Sequence, residues 1–131
     1  MMIDHLTLRV RDYERSKSFY VRALAPLGYA VVMEFEIPEL GKMCGIGPGE
    51  KPSLWLARED PHHQAPKGIH VAFSARDAAA VQAFHREALA AGGKDDGAPG
   101  LRPEYHPGYY GAFVIDPDGQ HVEAVTHTHQ G

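Results

Sequence analysis

A single cysteine, Cys44, leaves this 131-residue chain without any possible internal disulfide framework. Stability must therefore come from a packed core. No stretch approaches the roughly eighteen consecutive apolar residues needed to cross a bilayer. The opening MMIDHLTLRV carries charge within its apolar residues and no small-residue cleavage site, so neither an anchor nor a signal peptide is expected. Long runs of one charge are also missing. With 13 basic and 17 acidic residues, interspersed, the chain offers no stripe for a phosphate backbone or an anionic membrane. Nucleic acid and membrane are excluded as expected partners, and the absence of disulfides fits a reducing, cytoplasmic setting. Cys44 itself reads as a small buried hydrophobe.

What remains is ordinary globular material, 44% hydrophobic and 23% charged. At this length one core buries about two thirds of the surface exposed by the unfolded chain. One domain over 1–131 is expected.

That domain repeats itself. Setting each residue against the one 65 positions later matches His5 with His70, Arg11 with Arg76, Asp12 with Asp77, Phe19 with Phe84, Leu24 with Leu89 and Gly28 with Gly93. Each half opens on alternating apolar residues, as a half-buried strand does, and stops at Arg-Asp. Asp12 and Asp77 stand where an N-cap carboxylate accepts backbone N–H groups, which predicts helices over 13–25 and 78–91. Pro26 with Gly28, and Gly92-Gly93, end them. Strands are expected over 29–35, 43–46 and 54–57, then over 101–105, 109–115 and 121–125. The order is βαβββ twice, an α+β fold with module 1 over about 1–59, a polar connector over about 60–67 and module 2 over about 68–131. A four-stranded sheet with one helix leaves its second face open, so the two sheets are expected to close on a common cleft.

His5 and His70, equivalent under the repeat, and Glu123 on the last strand form a donor set suited to a first-row metal. His5 shares a strand face with Thr7 and Arg9, and His70 with Ala72 and Ser74. These faces meet either a polar cleft or water. Glu123 is launched by the turn Asp116-Pro117-Asp118-Gly119 and is flanked by Val122, Ala124 and Val125, poor surroundings for an unpaired carboxylate. Tyr109, Tyr110 and His106 lie in the segment running into the neighbouring strand and are candidate proton donors or acceptors. Tyr110 is the preferred catalytic candidate, with Glu123. Thr7, Trp55 and Tyr109 are candidates for contacting substrate. His62, His63, His85, His127 and His129 are assigned to the surface.

Three segments carry a resemblance: Ile3-Asp4-His5-Leu6-Thr7-Leu8-Arg9-Val10-Arg11-Asp12 followed by Ser16-x-x-Phe19-Tyr20; Gly68-Ile69-His70-Val71-Ala72-Phe73; and Asp116-Pro117-Asp118-Gly119-x-x-x-Glu123. Together they resemble the motifs of the vicinal oxygen chelate (glyoxalase/bleomycin-resistance/dioxygenase) superfamily over nearly the whole chain. The resemblance implies a cupped mixed sheet around a metal, with His5, His70 and Glu123 as ligands. It also implies one divalent ion (Fe, Mn, Ni or Zn), a small-molecule substrate bound through vicinal oxygens, and lyase, isomerase or ring-cleaving dioxygenase chemistry. A homodimer is expected as well, with the intact repeat favouring a metal cleft inside one chain. The alternative is a metal-free drug-binding protein of the bleomycin-resistance kind. Glyoxalase I-like sites take a fourth ligand where this chain has Ser53-Leu54-Trp55-Leu56, which argues against lactoylglutathione lyase activity. A fosfomycin-resistance-like thiol transferase is a minor alternative, since residues 124–131 contain no lysine or arginine.

Overall fold

Asp12 and Asp77 do cap helices. In the computed structural model, which describes residues 2–130, Asp12 Oδ1 accepts the Arg15 N–H at 3.1 Å and Asp77 Oδ1 accepts the Ala80 N–H at 2.8 Å. Met1 and Gly131, the outer bounds of the expected domain, lie outside the described residues. The caps start α1 (Tyr13–Leu24) and α2 (Ala78–Ala90). Each helix buries one stripe: Phe19, Tyr20, Ala23 and Leu24 in α1, and Val81, Phe84 and Ala88 in α2. Phe19 and Phe84 have no exposed surface, and burying a side chain of this size contributes about 1.5–3 kcal/mol.

Module 1 contains β1 (Leu6–Val10), α1, a 3-10 turn at Ala25–Leu27, β2 (Ala30–Ile37), β3 (Gly41–Gly47) and β4 (Leu54–Arg58). Module 2 contains β5 (His70–Ser74), α2, β6 (Lys94–Leu101), β7 (Tyr110–Ile115) and β8 (His121–Thr126). The sheets are ordered β1-β4-β3-β2 and β5-β8-β7-β6. In each, the first strand runs parallel to the last and the remaining pairs are antiparallel.

The expected strand at 101–105 is displaced. β6 ends at Leu101, and Arg102 to Tyr105 form a turn instead. The β6 sequence KDDGAPGL contains two glycines and a proline, which read as breakers. As an edge strand it tolerates them, because Pro99 has no ladder bond to give on the outer side and the register shifts at Gly97 and Gly100 absorb the irregularity.

The modules meet through their helices. α1 covers β2, β3 and β4, α2 covers β6, β7 and β8, and α1 packs against α2. The cleft expected between two facing sheets is therefore not formed inside one chain, and each sheet keeps an open face directed away from the helices. Gly93 illustrates the contact between modules: a Cβ there would stand 2.7 Å from Phe19 Cε1, so the ring needs the bare backbone.

The turn before β8 completes the junction. Asp116 Oδ1 accepts the N–H groups of Asp118 (2.8 Å) and Gln120 (2.9 Å), while its Oδ2 accepts the Tyr20 hydroxyl of α1. Asp118 Oδ2 accepts the Arg11 N–H at 3.0 Å, and its Oδ1 pairs with the Arg15 guanidinium at 3.3 Å. Both carboxylates are buried.

Candidate functional site

Strand alternation places His121, Glu123 and Val125 of β8 on the open face of the second sheet. In register beside them lie His70 and Ala72 of β5 and Phe113 of β7. Glu123 is only 2% exposed. His70 Nε2 lies 2.7 Å from Glu123 Oε1, and the Tyr109 hydroxyl donates to Glu123 Oε2. Gly111 makes this approach possible, since a Cβ at that position would come within 3.2 Å of both Glu123 Oε2 and Tyr109 Cε1. The Phe113 ring stands edge-on to His70 at 6.2 Å.

Among the described residues no lysine or arginine bonds to Glu123. Its partners are an imidazole and a phenol. A buried carboxylate without a fixed cation is costly, and a bound cation would relieve that cost. Burial, and then the bond to Glu123, push the Tyr109 hydroxyl well above the ordinary phenol range, so it stays protonated and donates. The nitrogen and oxygen of His70 and Glu123 have the donor chemistry of a first-row divalent-metal site.

The third expected ligand is elsewhere. His5 precedes β1 at the edge of the first sheet, its side chain 53% exposed and its Nδ1 2.7 Å from Asp4 Oδ1. Asp4 is held below the ordinary carboxylate range by His5 and then by Lys51, with which it forms an ion pair. Thr7 sits opposite Trp55 on that sheet's open face, and Trp55 packs edge-on against Phe35 at 5.9 Å. The structure thus gathers His70, Glu123 and Tyr109 on one sheet and His5, Thr7 and Trp55 on the other. No group of three His, Cys, Asp or Glu side chains placed to hold a metal forms among the described residues.

Tyr110 is not beside Glu123. It shares the α2-facing side of β7 with buried Ala112 and Val114, and its hydroxyl accepts from Gln82 Nε2 at 2.9 Å. The odd-numbered residues of β7 face Glu123, as the Phe113–Glu123 register shows, so counting the alternation singles out Tyr109.

Two histidines not paired in the sequence reading do meet: His106 Nε2 lies 2.9 Å from His127 Nδ1, beside Tyr109. A cavity of about 490 Å³ lined by Arg11, Arg15, Lys67, Lys94 and the Asp116–Gly119 turn lies apart from all the candidate ligands.

A family model described as the Glyoxalase/Bleomycin resistance protein/Dioxygenase superfamily matches residues 2–124. Among solved structures, a glyoxalase/bleomycin resistance protein from Albidiferax ferrireducens is similar at 25% identity and TM-score 0.77, covering 95% of this chain and 98% of that one. A variant of glyoxalase I from Zea mays is 27% identical with TM-score 0.72, covering 92% of this chain and 45% of that one. A glyoxalase/bleomycin resistance protein/dioxygenase family enzyme from Burkholderia phytofirmans shares the fold at 18% identity and TM-score 0.69, covering 95% and 98%. No curated protein matches the chain.

Proposed function

The chain belongs to the glyoxalase/bleomycin resistance protein/dioxygenase superfamily, and we propose that it is a metal-dependent enzyme acting on a small molecule through adjacent oxygens. The observation that carries this reading is Glu123: a carboxylate 2% exposed whose partners are His70 and Tyr109. His70 and Glu123 would hold the ion from one chain. The third ligand would be His5 of a second copy, whose Nδ1 contact with Asp4 leaves Nε2 to bind metal, the usual arrangement of a ligating histidine.

In that homodimer the first sheet's open face covers the second sheet's open face of the other copy, and two-fold symmetry makes two equal sites. The same packing would cover Met33 and Phe35, 46% and 44% exposed in one chain. Trp55 and Phe35 then form an apolar wall against the substrate, with Thr7 beside it.

A divalent metal held by His70, Glu123 and the His5 of a second copy would supply Lewis acidity toward neighbouring substrate oxygens. The chain's own contribution is to orient and to move a proton. Glu123 and His70 are fixed by sheet register, and Tyr109 presents its proton at the phenol oxygen. Tyr109 thereby takes the acid–base role for which the sequence favoured Tyr110. The wall from the other copy excludes water. The reaction type lies within lyase, isomerase or dioxygenase chemistry.

The test is reconstitution with Fe(II), Mn(II), Ni(II) and Zn(II), followed by metal analysis of the wild type, His70→Gln, Glu123→Gln and His5→Gln. Each substitution should remove one ion per site. Mixed His5→Gln and His70→Gln protein should regain about a quarter of the sites, because half the dimers are mixed and each carries one intact site. Wild-type content that none of the three substitutions lowers would refute the site. It would assign the bound ion to side chains outside this site and favour a binding protein whose cleft uses no metal, with Trp55 and Phe35 as its apolar surface.

A further inference from the structure

We propose that His106 and His127 form a second metal site, a two-imidazole clamp for a late first-row divalent ion such as Ni²⁺, Cu²⁺ or Zn²⁺, that ties the turn at 102–109 to the segment after β8. The proposal is independent of the metal at His70 and Glu123.

The two ring nitrogens are 2.9 Å apart and the rings are inclined by 25° with centroids at 5.1 Å. Nitrogens bound to one ion at roughly 2.0–2.1 Å stand about 2.9–3.3 Å apart when their ligand angle is between a right angle and a tetrahedral one. The observed spacing already meets this.

His106 is also prepared as a ligand by its neighbour. Its Nδ1 lies 2.7 Å from the Pro107 carbonyl, which can only accept, so Nδ1 carries the proton and Nε2 presents its lone pair. Without metal, His127 Nδ1 donates to that lone pair. With metal, His127 carries its proton on Nε2 and Nδ1 becomes the second ligand. No net proton is released, and each ring only has to turn about its side-chain bonds so that both lone pairs converge on an ion beside the N···N line, while the backbone keeps its place.

The backbone holds the pair. The His129 N–H donates to the Gly108 carbonyl at 3.0 Å, which lays the segment after β8 along the turn. Gly108 has φ 87°, and a Cβ there would stand 2.7 Å from the His127 carbonyl, so this close approach requires glycine. Tyr109 places its ring edge-on to both imidazoles, at 5.3 and 5.2 Å. An ion in the clamp therefore pins the residue that bonds Glu123. With only two protein ligands, water fills the remaining positions, and the preference should follow Cu²⁺ over Ni²⁺ and Zn²⁺.

The experiment uses the full chain carrying His70→Gln, which removes the first site, titrated with Ni²⁺ and with Zn²⁺ by calorimetry. One ion per chain should still bind. Adding His106→Gln or His127→Gln should weaken binding at least tenfold, while adding His129→Gln or the His62→Gln, His63→Gln pair should leave it unchanged. Binding indifferent to both His106 and His127, or lost with His129 or the His62–His63 pair instead, would overturn the clamp. Should a combined variant fail to fold, ring NMR of the unsubstituted protein decides: Zn²⁺ must shift His106 and His127 resonances together, and unmoved resonances refute the proposal.

Discussion

Tyr20 donates its hydroxyl to Asp116 across the boundary between the two modules, from the middle of α1 to the turn before β8. Burial first, and then the charge of Asp116, push this phenol well above its ordinary range, so it remains a donor at neutral pH. Tyr20→Phe leaves a buried carboxylate oxygen one donor short, at a cost of about 1–3 kcal/mol. Urea unfolding should show a lower midpoint with an unchanged slope. A midpoint equal to the wild type would mean that the bond contributes nothing net.

Tyr109→Phe and Tyr110→Phe separate the two tyrosines. Removing the Tyr109 hydroxyl takes a donor from buried Glu123 and, under the proposed mechanism, the proton donor from the site. Turnover should fall about 10²–10⁴-fold, with the metal still bound. Tyr110→Phe loses only the contact with Gln82 and should keep turnover within a few-fold. The reverse ranking in steady-state kinetics would return the role to Tyr110.

Glu123→Gln keeps the shape of the side chain and removes its charge. For wild-type protein, metal at about a hundred times its Kd should add about 2.7 kcal/mol of stability, read as a rise in Tm. In the proposed site that increment would come from His5, His70 and Glu123, so the Gln variant should keep only the smaller shift expected from the proposed His106–His127 clamp. Acid should abolish both shifts, because protons compete with metal for imidazole.

Glu34 makes a different pH test. The Lys17 ammonium, 2.8 Å away, and then the Tyr13 hydroxyl hold its carboxyl below the ordinary carboxylate range. A lowered folded-state value means that the stabilisation is complete above the unfolded value, about 4.3, and is lost as pH falls through the folded one. Glu34→Gln should therefore melt below the wild type at pH 7, and the two curves should converge in acid below that window. A constant gap across the range would show that ionisation of Glu34 is not the source.

How far the sequence reaches can be judged residue by residue. Asp12, Asp77 and the 65-residue repeat predict both helices to within one residue at their C-terminal ends, because capping and periodicity are local properties. β6 escapes such reading because edge strands accept glycine and proline that a central strand excludes. The pairing of His70 with Glu123 follows from the register of β5 on β8, and the strand pattern marks both for one face. His5 does not join them, since equivalent positions in a repeat occupy equivalent places on two different sheets rather than adjacent places in one site. His106 and His127 meet only through the Gly108 turn, a tertiary contact to which no sequence spacing points.

The carboxylates of the Asp116–Gly119 turn are 107 residues from Arg11 and 96 from Tyr20, which they hold. At about 5–20 residues per second, a ribosome delivers them roughly 5–20 s after the start of α1. Until then a growing chain has the first helix and all four strands of module 1 but lacks the acceptors for Arg11 and Tyr20, and Phe19 lacks the backbone of Gly93 until that residue too has emerged. The N-terminal half is made first and finished last, so a ribosome stalled short of Asp116 would leave the Arg11 N–H and the Tyr20 hydroxyl without the carboxylates that lock one module to the other.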